Sequence, residues 1–347
     1  DVYKRQDYGA EMLLDIFKFW ASKAKAGSDG RYDIDKVMGP DEFHESLPGS
    51  GVGGLTNNAY RNIMVSWVMD KAFKVLEAIQ GDQRQRILKV LDLNDSALEK
   101  WSDVMKGLNL NISDAGIIEQ FKGYFGLKEL DWDHYRDKYG DIHRLDRILK
   151  AEGLSPDDFK LAKQADLLMS FYNLGGAEVT SIIEGMGYEL PADFAEKNFD
   201  YYIERTSHGS TLSRLVHARL AWEMKMHDRG WELYMDALRS DLVDIQGGTT
   251  GEGVHCGVMA GTVYDVMATF AGLDLSGDIP SLQPVLPPHW KSLKFRFTFK
   301  GTEFAVSLDH KKIQIRGKNM AQEKIKVHLC GEETELTRDQ VSVKSLI

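Results

Sequence analysis

The sequence has few cysteines and prolines, no long apolar run, and fewer basic than acidic side chains. Two cysteines, Cys256 and Cys330, give neither a disulfide framework nor a metal cluster, which fits a reducing, cytoplasmic compartment. With 43 basic and 53 acidic side chains, the 347-residue chain carries a net charge of −10. That balance argues against broad binding of nucleic acid or of an anionic membrane. No membrane-spanning run or signal peptide is visible.

What the chain does have is helical periodicity over most of its length. From residue 11 to about residue 273, apolar residues recur at three- and four-residue steps. The predicted helices cover residues 12–20, 63–79, 87–93, 161–171, 194–202, 212–222, 231–242 and 254–270. No short-period sequence repeat is evident, which argues against a solenoid.

The pattern changes after residue 279. Four of the eight prolines lie in residues 280–288, PSLQPVLPP, which we interpret as a linker. Apolar residues then alternate with polar ones, as at Leu293 and Phe295, which predicts a small antiparallel β module with one buried face. We therefore expect two domains, residues 1–279 and 280–347, with the second packed against the helices.

The first chemically dense segment is residues 39–62, GPDEFHESLPGSGVGGLTNNAYRN. Pro40 could begin a helical turn with Asp41 and Glu42 beside it, and spacing alone favours an ordinary capped helix start with surface acids. The zinc motif HExxH is absent, because no second histidine follows His44 at that spacing. No metal is expected.

The second segment is residues 201–213, YYIERTSHGSTLS, which leads into a predicted helix. Free backbone N–H groups and the positive end of the helix dipole suit such a site to an anion. The hydroxyls that gather there belong to Ser207, Ser210, Thr211 and Ser213. Ordinary capping is the alternative, although a cap needs one hydroxyl rather than four.

The third segment is residues 246–261, QGGTTGEGVHCGVMAG. Its flexible loop contains Gly247, Gly248, Gly251 and Gly253, and His255 starts the next predicted helix. It is neither a P-loop nor a dinucleotide G-x-G-x-x-G motif. A lone histidine at a helix start is more often structural, and Lys163-Gln164 in KLAKQADLLM would ordinarily lie on a solvated helix face.

In this order, GPDEFHE, TNNAYRN, KQADLLM, RTSHGSTLS and DLVDIQGGTTGEGVH resemble glycoside hydrolase family 65. That family contains inverting disaccharide phosphorylases for maltose, trehalose and kojibiose, and some related hydrolases. The resemblance runs from about residue 9 to the end. It implies a mainly α fold, the second part of an (α/α)6 barrel of six helical hairpins, followed by a small antiparallel β domain. The chain starts with Asp1 rather than Met, so we expect a fragment whose N-terminal β-sandwich and early barrel helices lie upstream.

The resemblance also implies a general acid. Glu42 matches the carboxyl that delivers a proton to the leaving oxygen when the glycosidic bond breaks. Near neutral pH such an acid needs a pKa raised by burial or by a neighbouring negative charge, which Asp41 could supply. Lys163 and Gln164 match residues that line the glucose subsite.

In an inverting phosphorylase the attacking group is phosphate itself, so the protein needs a phosphate site. Ser210 and Thr211 match the family's phosphate-binding hydroxyls, and His255 matches its phosphate-binding histidine. Inorganic phosphate would be the co-substrate, and no cofactor is expected. The product would be β-glucose 1-phosphate from an α-linked glucosyl disaccharide.

Two alternatives stay open. Gly209 stands where hydrolase members can carry a water-activating carboxylate, which favours phosphorolysis, but Glu204 and Glu252 keep an inverting α-glucosidase in consideration. An inactive carbohydrate-binding fragment is the third hypothesis, because the expected fragment lacks half a barrel. Glu42 discriminates against it, since a binding module has no need of a buried acid. The loop after Glu42 looks longer than in the well-known phosphorylases, so the disaccharide is not assigned. The expected partners are that disaccharide and phosphate, and a homodimer is a candidate assembly.

Overall fold

The computed structural model describes residues 8–245, 248, 250–320, 322–338 and 340–346. Of the predicted glycine loop, Gly247 and its neighbours Gln246 and Thr249 lie outside the described residues, as does the side chain of Glu252. The chain divides into two compact units, Asp1–Val216 and His217–Ile347. No helix in the described part combines the length and the apolar composition needed to cross a membrane.

Helices are the main regular structure of the first unit. Its helices are α1 (Ala10–Lys23), α2 (Ala59–Ala78), α3 (Gly81–Val90), α4 (Asp95–Gly107), α5 (Trp132–Tyr139), α6 (Leu145–Ala151), α7 (Leu168–Leu174), α8 (Gly176–Gly185) and α9 (Phe194–Ile203). Helix α10 (Thr211–Glu223) begins in the first unit and ends in the second. Strands β1 (Ala24–Ala26) and β2 (Tyr32–Ile34) form an antiparallel pair, and 3-10 turns lie at Tyr124–Gly126 and Pro156–Asp158.

Local sequence explains where several of these helices begin. The side-chain oxygen of Asn58 accepts a hydrogen bond from the backbone N–H of Arg61, so α2 starts on a good cap. Asn94 caps α4 in the same way through Ala97. Helices α1, α2 and α4 then pack together through a fully buried Phe17, whose ring meets Trp101 edge-on at 4.2 Å between centroids.

The second unit joins two helices to a β domain. Helix α11 is His227–Arg239 and α12 is Cys256–Asp265, followed by a π turn at Val266–Phe270; a 3-10 turn occupies Thr250–Glu252. The strands are β3 (Leu273–Asp274), β4 (Ser281–Leu282), β5 (Ser292–Phe299), β6 (Thr302–Asp309), β7 (Lys312–Lys318), β8 (Lys324–Leu329), β9 (Glu332–Thr337) and β10 (Val341–Ser345). Their two four-stranded sheets have the orders β10-β7-β6-β5 and β3-β4-β8-β9.

The alternation seen in the sequence sets which face of the β domain is buried. Along β6 the buried positions are every second residue, including Phe304 and Val306, and they pack with Ile313 and Ile315 of β7. Lys300 and Gly301 have positive φ angles of 46° and 80°, which form the tight turn between β5 and β6.

Three local expectations were wrong. Pro40 does not begin a helical turn, because residues 40–47 form bends whose polar groups bond to other segments. Residues 161–167 are not helical, since Ala162 pairs through its backbone with residues 205–207. The linker expected at 280–288 contains strand β4, which pairs in parallel with β8, so the sheet arrangement is mixed rather than purely antiparallel. In each case long-range hydrogen bonds of the backbone outweigh the local pattern.

Candidate active site

The loop that carries Glu42 is fixed by a buried carboxylate on either side of its backbone. The backbone N–H of Asp41 donates to Asp166 Oδ2 at 3.0 Å, and Asp41 Oδ1 accepts from the backbone N–H of Lys163 at 2.8 Å. A Cβ atom on Gly39 would lie 1.9 Å from Asp166 Oδ2. Glycine is therefore required at position 39 for the loop to approach this carboxylate so closely.

Asp41 and Asp166 belong to one buried polar network. Asp41 Oδ2 lies 3.1 Å from His44 Nδ1, and the other ring nitrogen of His44 lies 3.0 Å from the carbonyl oxygen of Phe159. Asn58 donates through Nδ2 to Asp166 Oδ1 at 2.8 Å. All these polar side chains are buried, which makes the network a rigid base under the Glu42 loop.

Burial also changes the proton affinities within this network. Desolvation, followed by the nearby charge of Asp41, raises the pKa of Asp166 to about 7. Burial on its own would lower the pKa of His44. The hydrogen bond that His44 donates to Asp41 and the negative charge of Asp41 outweigh that effect, so the pKa of His44 lies above its ordinary value.

Glu42 itself forms no hydrogen bond with these network side chains and is 60% exposed. Its Oε2 lies 2.7 Å from Lys163 Nζ, and its Oε1 lies 3.5 Å from Gln164 Nε2. The amide nitrogen of Gln164 also donates to the carbonyl of Pro40 at 2.5 Å. Three residues predicted for the sugar site therefore meet, although the acid is not buried by the described residues. Lys163 and Gln164 do not lie on the solvated helix face that is usual for such residues, because they follow the extended segment at Ala162.

The same extended segment connects Glu42 to the serine-rich loop. The backbone N–H of Ser207 donates to Ala162 O at 2.8 Å, and that of Gly209 donates to Lys163 O at 3.0 Å. A Cβ on Gly209 would lie 2.3 Å from the carbonyl oxygen of His143. Gly209 is thus held against two neighbouring chain segments with no room for a side chain.

The four hydroxyls of this loop have different surroundings. Ser207 Oγ donates to His143 O at 3.1 Å, and Ser213 Oγ lies 2.8 Å from His208 Nδ1, so these two serve the local structure. Helix α10 begins at Thr211, directly after Ser210. Within the described residues, neither the Ser210 nor the Thr211 hydroxyl has a hydrogen-bond partner. The buried Arg214 supports the loop by donating to His208 O at 3.0 Å.

His255 lies in the second unit and immediately precedes α12. Both its backbone N–H and its ring Nδ1 bond to the carboxylate of Asp241, at 2.8 Å and 2.6 Å. These two hydrogen bonds to one carboxylate fix the ring orientation and leave Nε2 as the ring nitrogen available to a ligand. Asp241 falls in the motif DLVDIQGG, but its role was not predicted from the sequence.

A cavity of about 610 Å³ opens beside Glu42 and Lys163 in the first unit. Helix α6 forms one wall with Arg144, Arg147 and Lys150. Sequence reasoning missed this wall, because nothing in the spacing of residues 144–150 links them to Glu42. It also missed Asp166 and Asn58, although both lie inside the motifs KQADLLM and TNNAYRN.

Of the two alternative bases, Glu204 is exposed at the C-terminal end of α9. The Glu252 side chain is outside the described part of the chain. Among the residues that the structure describes, no group of three or more His, Cys, Asp or Glu is arranged to hold a metal ion.

Comparison with known families matches residues 1–264 to the glycosyl hydrolase family 65 central catalytic domain and residues 273–336 to the family's C-terminal domain. The chain is 44% identical over 304 residues to the trehalose 6-phosphate phosphorylase of Lactococcus lactis, covering 88% of this chain and 38% of that protein. It is 27% identical over 340 residues to the kojibiose phosphorylase of Caldanaerobacter subterraneus, covering 95% of this chain and 40% of the relative.

A solved structure described as a kojibiose phosphorylase from the human microbiome has the same fold. It superposes with a TM-score of 0.77 at 24% identity, covering 99% of this chain and 42% of that one. The likeness confirms the fold class predicted from the sequence, part of an (α/α)6 barrel followed by a small β domain. The chain spans about two fifths of the length of the relatives described here.

Proposed function

Because the chain belongs to glycosyl hydrolase family 65, we propose that the enzyme containing it is an inverting phosphorylase of α-glucosyl disaccharides. The observation that carries the proposal is the backbone pairing of residues 162–163 with 207–209. It holds the Lys163 partner of Glu42 directly against the loop that leads to Ser210 and Thr211. A proton donor and an anion site are the two parts that phosphorolysis needs.

In the proposed reaction Glu42 gives its proton to the oxygen that leaves with the acceptor sugar. Lys163 and Gln164 hold the acid in place and line the glucose subsite. An oxygen of inorganic phosphate attacks C1 from the opposite face while the C1–O bond to the acceptor breaks. The products are β-glucose 1-phosphate and the free acceptor, and Glu42 regains a proton before the next turnover.

Ser210, Thr211 and His255 are the proposed phosphate ligands. The unpartnered hydroxyls of Ser210 and Thr211 lie where α10 begins, and backbone N–H groups at a helix start favour an anion. His255 is included because it matches the family's phosphate-binding histidine; with Nδ1 bonded to Asp241, its Nε2 donates to phosphate when the ring is protonated. Hydrogen bonds between such donors and a charged phosphate are stronger than those between neutral groups.

An inverting α-glucosidase is the second candidate. It requires a base that activates water, and Gly209 has neither a carboxylate nor room for one. Glu204 is exposed at a helix end, which does not favour it, and Glu252 stays untested. The acceptor is also open, since the named relatives are a trehalose 6-phosphate phosphorylase and a kojibiose phosphorylase.

The decisive assay uses the full-length enzyme and compares sugar release with and without phosphate. We expect β-glucose 1-phosphate to form only when phosphate is present, with no free glucose in its absence. Release of free glucose at full rate in phosphate-free buffer would show that the enzyme is an inverting hydrolase rather than a phosphorylase. Absence of any turnover, with sugar binding retained, would favour the inactive carbohydrate-binding protein.

The remaining parts of the proposal concern the cellular setting. The partners would be the disaccharide and phosphate. The proposed assembly is a homodimer, which light scattering on the full-length enzyme would test. Cys256 and Cys330 are both free thiols, which agrees with a cytoplasmic, reducing compartment.

A further inference from the structure

The cavity beside Glu42 has a basic wall that the proposed reaction does not use. Arg144 immediately precedes α6, and Arg147 and Lys150 follow at three-residue steps. Residues spaced by three lie on the same side of a helix, so the three cations form one stripe. The stripe faces the cavity that Glu42 and Lys163 also line.

The cavity lining contains four basic and four acidic side chains, of which only some are paired with each other. Arg144 is paired with Asp146 through two bonds of 2.9 Å and 2.7 Å, and the positive charge of Arg144 helps to lower the pKa of Asp146 despite its partial burial. Lys163 is paired with Glu42. Arg147 and Lys150 form no ion pair with any carboxylate among the described residues, and both are exposed.

None of the acidic residues of the cavity forms an ion pair with these two cations. Asp157 accepts hydrogen bonds from the backbone N–H groups of Glu45 and Ser46, at 2.9 Å and 3.2 Å, so its carboxylate is committed to holding the loop. Glu45 is the second lining carboxylate, within the described part of the cavity, whose side chain forms no ion pair. Arg147 and Lys150, the first with a planar fork suited to phosphate oxygens, are therefore two cations of this cavity that have no carboxylate partner among the described residues.

We infer that the acceptor sugar carries a phosphate group, and that Arg147 and Lys150 bind it. This inference rests on the proposed function. Glu42 must reach the oxygen that leaves with the acceptor, so the cavity beside Glu42 is where the acceptor lies. A neutral sugar would leave Arg147 and Lys150 unused, whereas a hexose phosphate supplies the anion that they lack.

The reaction balances with this substrate. The α-glucoside of a hexose phosphate loses its C1–O bond, an oxygen of inorganic phosphate forms the new bond to C1, and the Glu42 proton goes to the acceptor oxygen. The products are β-glucose 1-phosphate and the hexose phosphate. The phosphate already on the acceptor is not transferred.

The test uses the full-length enzyme in the synthetic direction, with β-glucose 1-phosphate as donor and either glucose 6-phosphate or glucose as acceptor. We expect glucose 6-phosphate to be preferred by about 100-fold in kcat/KM. Arg147→Ala and Lys150→Ala should each raise the KM for glucose 6-phosphate by about 10-fold, the scale of one hydrogen bond to a charged group. The KM for β-glucose 1-phosphate should stay within about twofold, and Arg147→Lys should retain much of the preference.

Arg136→Ala is the matched control, because Arg136 is an exposed arginine on neighbouring helix α5 and does not line the cavity. Equal use of glucose and glucose 6-phosphate by the wild-type enzyme would overturn the inference. So would an Arg147→Ala effect on the KM for inorganic phosphate alone, which would assign the stripe to the attacking phosphate.

The inference can fail separately from the proposed function. If the enzyme proves to be a hydrolase, the same variants are compared on an α-glucosyl glucose 6-phosphate and on its dephosphorylated counterpart. A preference for the phosphorylated disaccharide that Arg147→Ala and Lys150→Ala remove would support the phosphate site even then. Equal hydrolysis of both would contradict it.

Discussion

Glu42 is held by its surroundings without being buried by them. The polar network of Asp41, His44 and Asp166 fixes the backbone on which Glu42 stands, while the carboxylate is 60% exposed and paired with Lys163. The buried acid expected from the family resemblance is therefore not seen among the described residues. Its burial cannot separate an enzyme from a binding module, so the test of Glu42 must be kinetic.

We predict that Glu42→Gln in the full-length enzyme lowers kcat on a natural disaccharide by at least about 100-fold, because the amide cannot protonate the leaving oxygen. The variant should retain more of its activity on activated donors such as glucosyl fluoride, since their leaving group needs less protonation. Circular dichroism would check that the fold is kept. Glu204→Gln is the control and should retain activity. Near wild-type turnover by Glu42→Gln would rule out the assignment.

His255 allows the proposed phosphate site to be tested through a residue other than the serine-rich loop. We predict that His255→Ala raises the KM for phosphate by about 10- to 150-fold, the cost of one hydrogen bond to a charged group, and changes the KM for the sugar far less. Steady-state kinetics with each substrate varied would measure both constants. His310→Ala, which alters an exposed histidine, serves as control. An equal rise in both KM values would mean that His255 is structural.

Asp166 should make stability depend on pH. Its pKa is about 7 in the folded chain and 3.8 ordinarily, so between these values the folded state holds a proton that the unfolded state has released. Its contribution to stability therefore falls as the pH rises from about 4 to 7. The raised pKa of His44 acts in the same direction, since its contribution is present below pH 6.5 and is lost as the pH rises through the folded-state value.

We predict that Asp166→Asn flattens the pH dependence of the free energy of unfolding between pH 5 and 8, by an amount on the order of a few kcal/mol. The variant should also lose a hydrogen bond above pH 7, where the ionised Asp166 accepts from two N–H groups whereas the Asn amide presents a donor to one of them. Urea unfolding at several pH values would measure both effects. A pH profile as steep as that of the wild type would show that Asp166 is not the responsible group.

The serine-rich loop depends on one close backbone approach. Residues 207–209 pair with 162–163, and Gly209 packs against the carbonyl of His143. This element links Glu42 to the start of α10, so moving it should affect catalysis without touching a reacting group. His208 adopts a left-handed conformation with φ of 55°, which helps to turn the chain into the helix.

We predict that Gly209→Ala raises the KM for phosphate by about 10-fold and destabilises the chain by about 1–3 kcal/mol. The added Cβ would lie 2.3 Å from a backbone oxygen, so the loop must shift. Gly126→Ala is the matched control, because no atom lies within 4 Å of its added Cβ. Thermal unfolding and phosphate kinetics would measure the two effects. Wild-type values for Gly209→Ala would contradict the tight packing at this position.

The whole chain is divided differently by its sequence pattern and by its packing. The pattern predicts a boundary between residues 279 and 280, whereas the compact units meet between Val216 and His217. Within the second unit, Leu286 packs both with the β core and with the cluster of Trp222, Tyr234 and Phe270. Cooperative unfolding can decide which boundary holds.

We predict that Phe304→Ala destabilises the β domain by about 3–5 kcal/mol, because Phe304 is fully buried in its core. If residues 280–347 are a domain, hydrogen exchange should speed up in strands β5–β9 and stay unchanged in α11. Val343→Ala, at a position 58% exposed, should have little effect. Equal loss of protection in α11 and the strands would place the cooperative boundary at residue 217 instead.

The sequence by itself determined the helical part, the change to strands, and the meeting of Glu42 with Lys163 and Gln164 through the family's motifs. Periodicities of 3.6 and 2 are local, so the positions of α2, α9, β5 and β6 could be predicted from neighbouring residues. Helix α4 was missed, although its cap at Asn94 was available as a signal. The roles of the predicted site residues stay predictions.

Only the tertiary structure decided the rest. Asp166 lies 125 residues from the backbone N–H of Asp41 that it accepts from, and strand β4 exists because it pairs with β8. The basic stripe of α6 reaches the cavity of Glu42 by the same kind of long-range packing. Such partners are chosen by burial and by backbone groups that must find hydrogen bonds, and neither requirement leaves a periodic trace in the sequence.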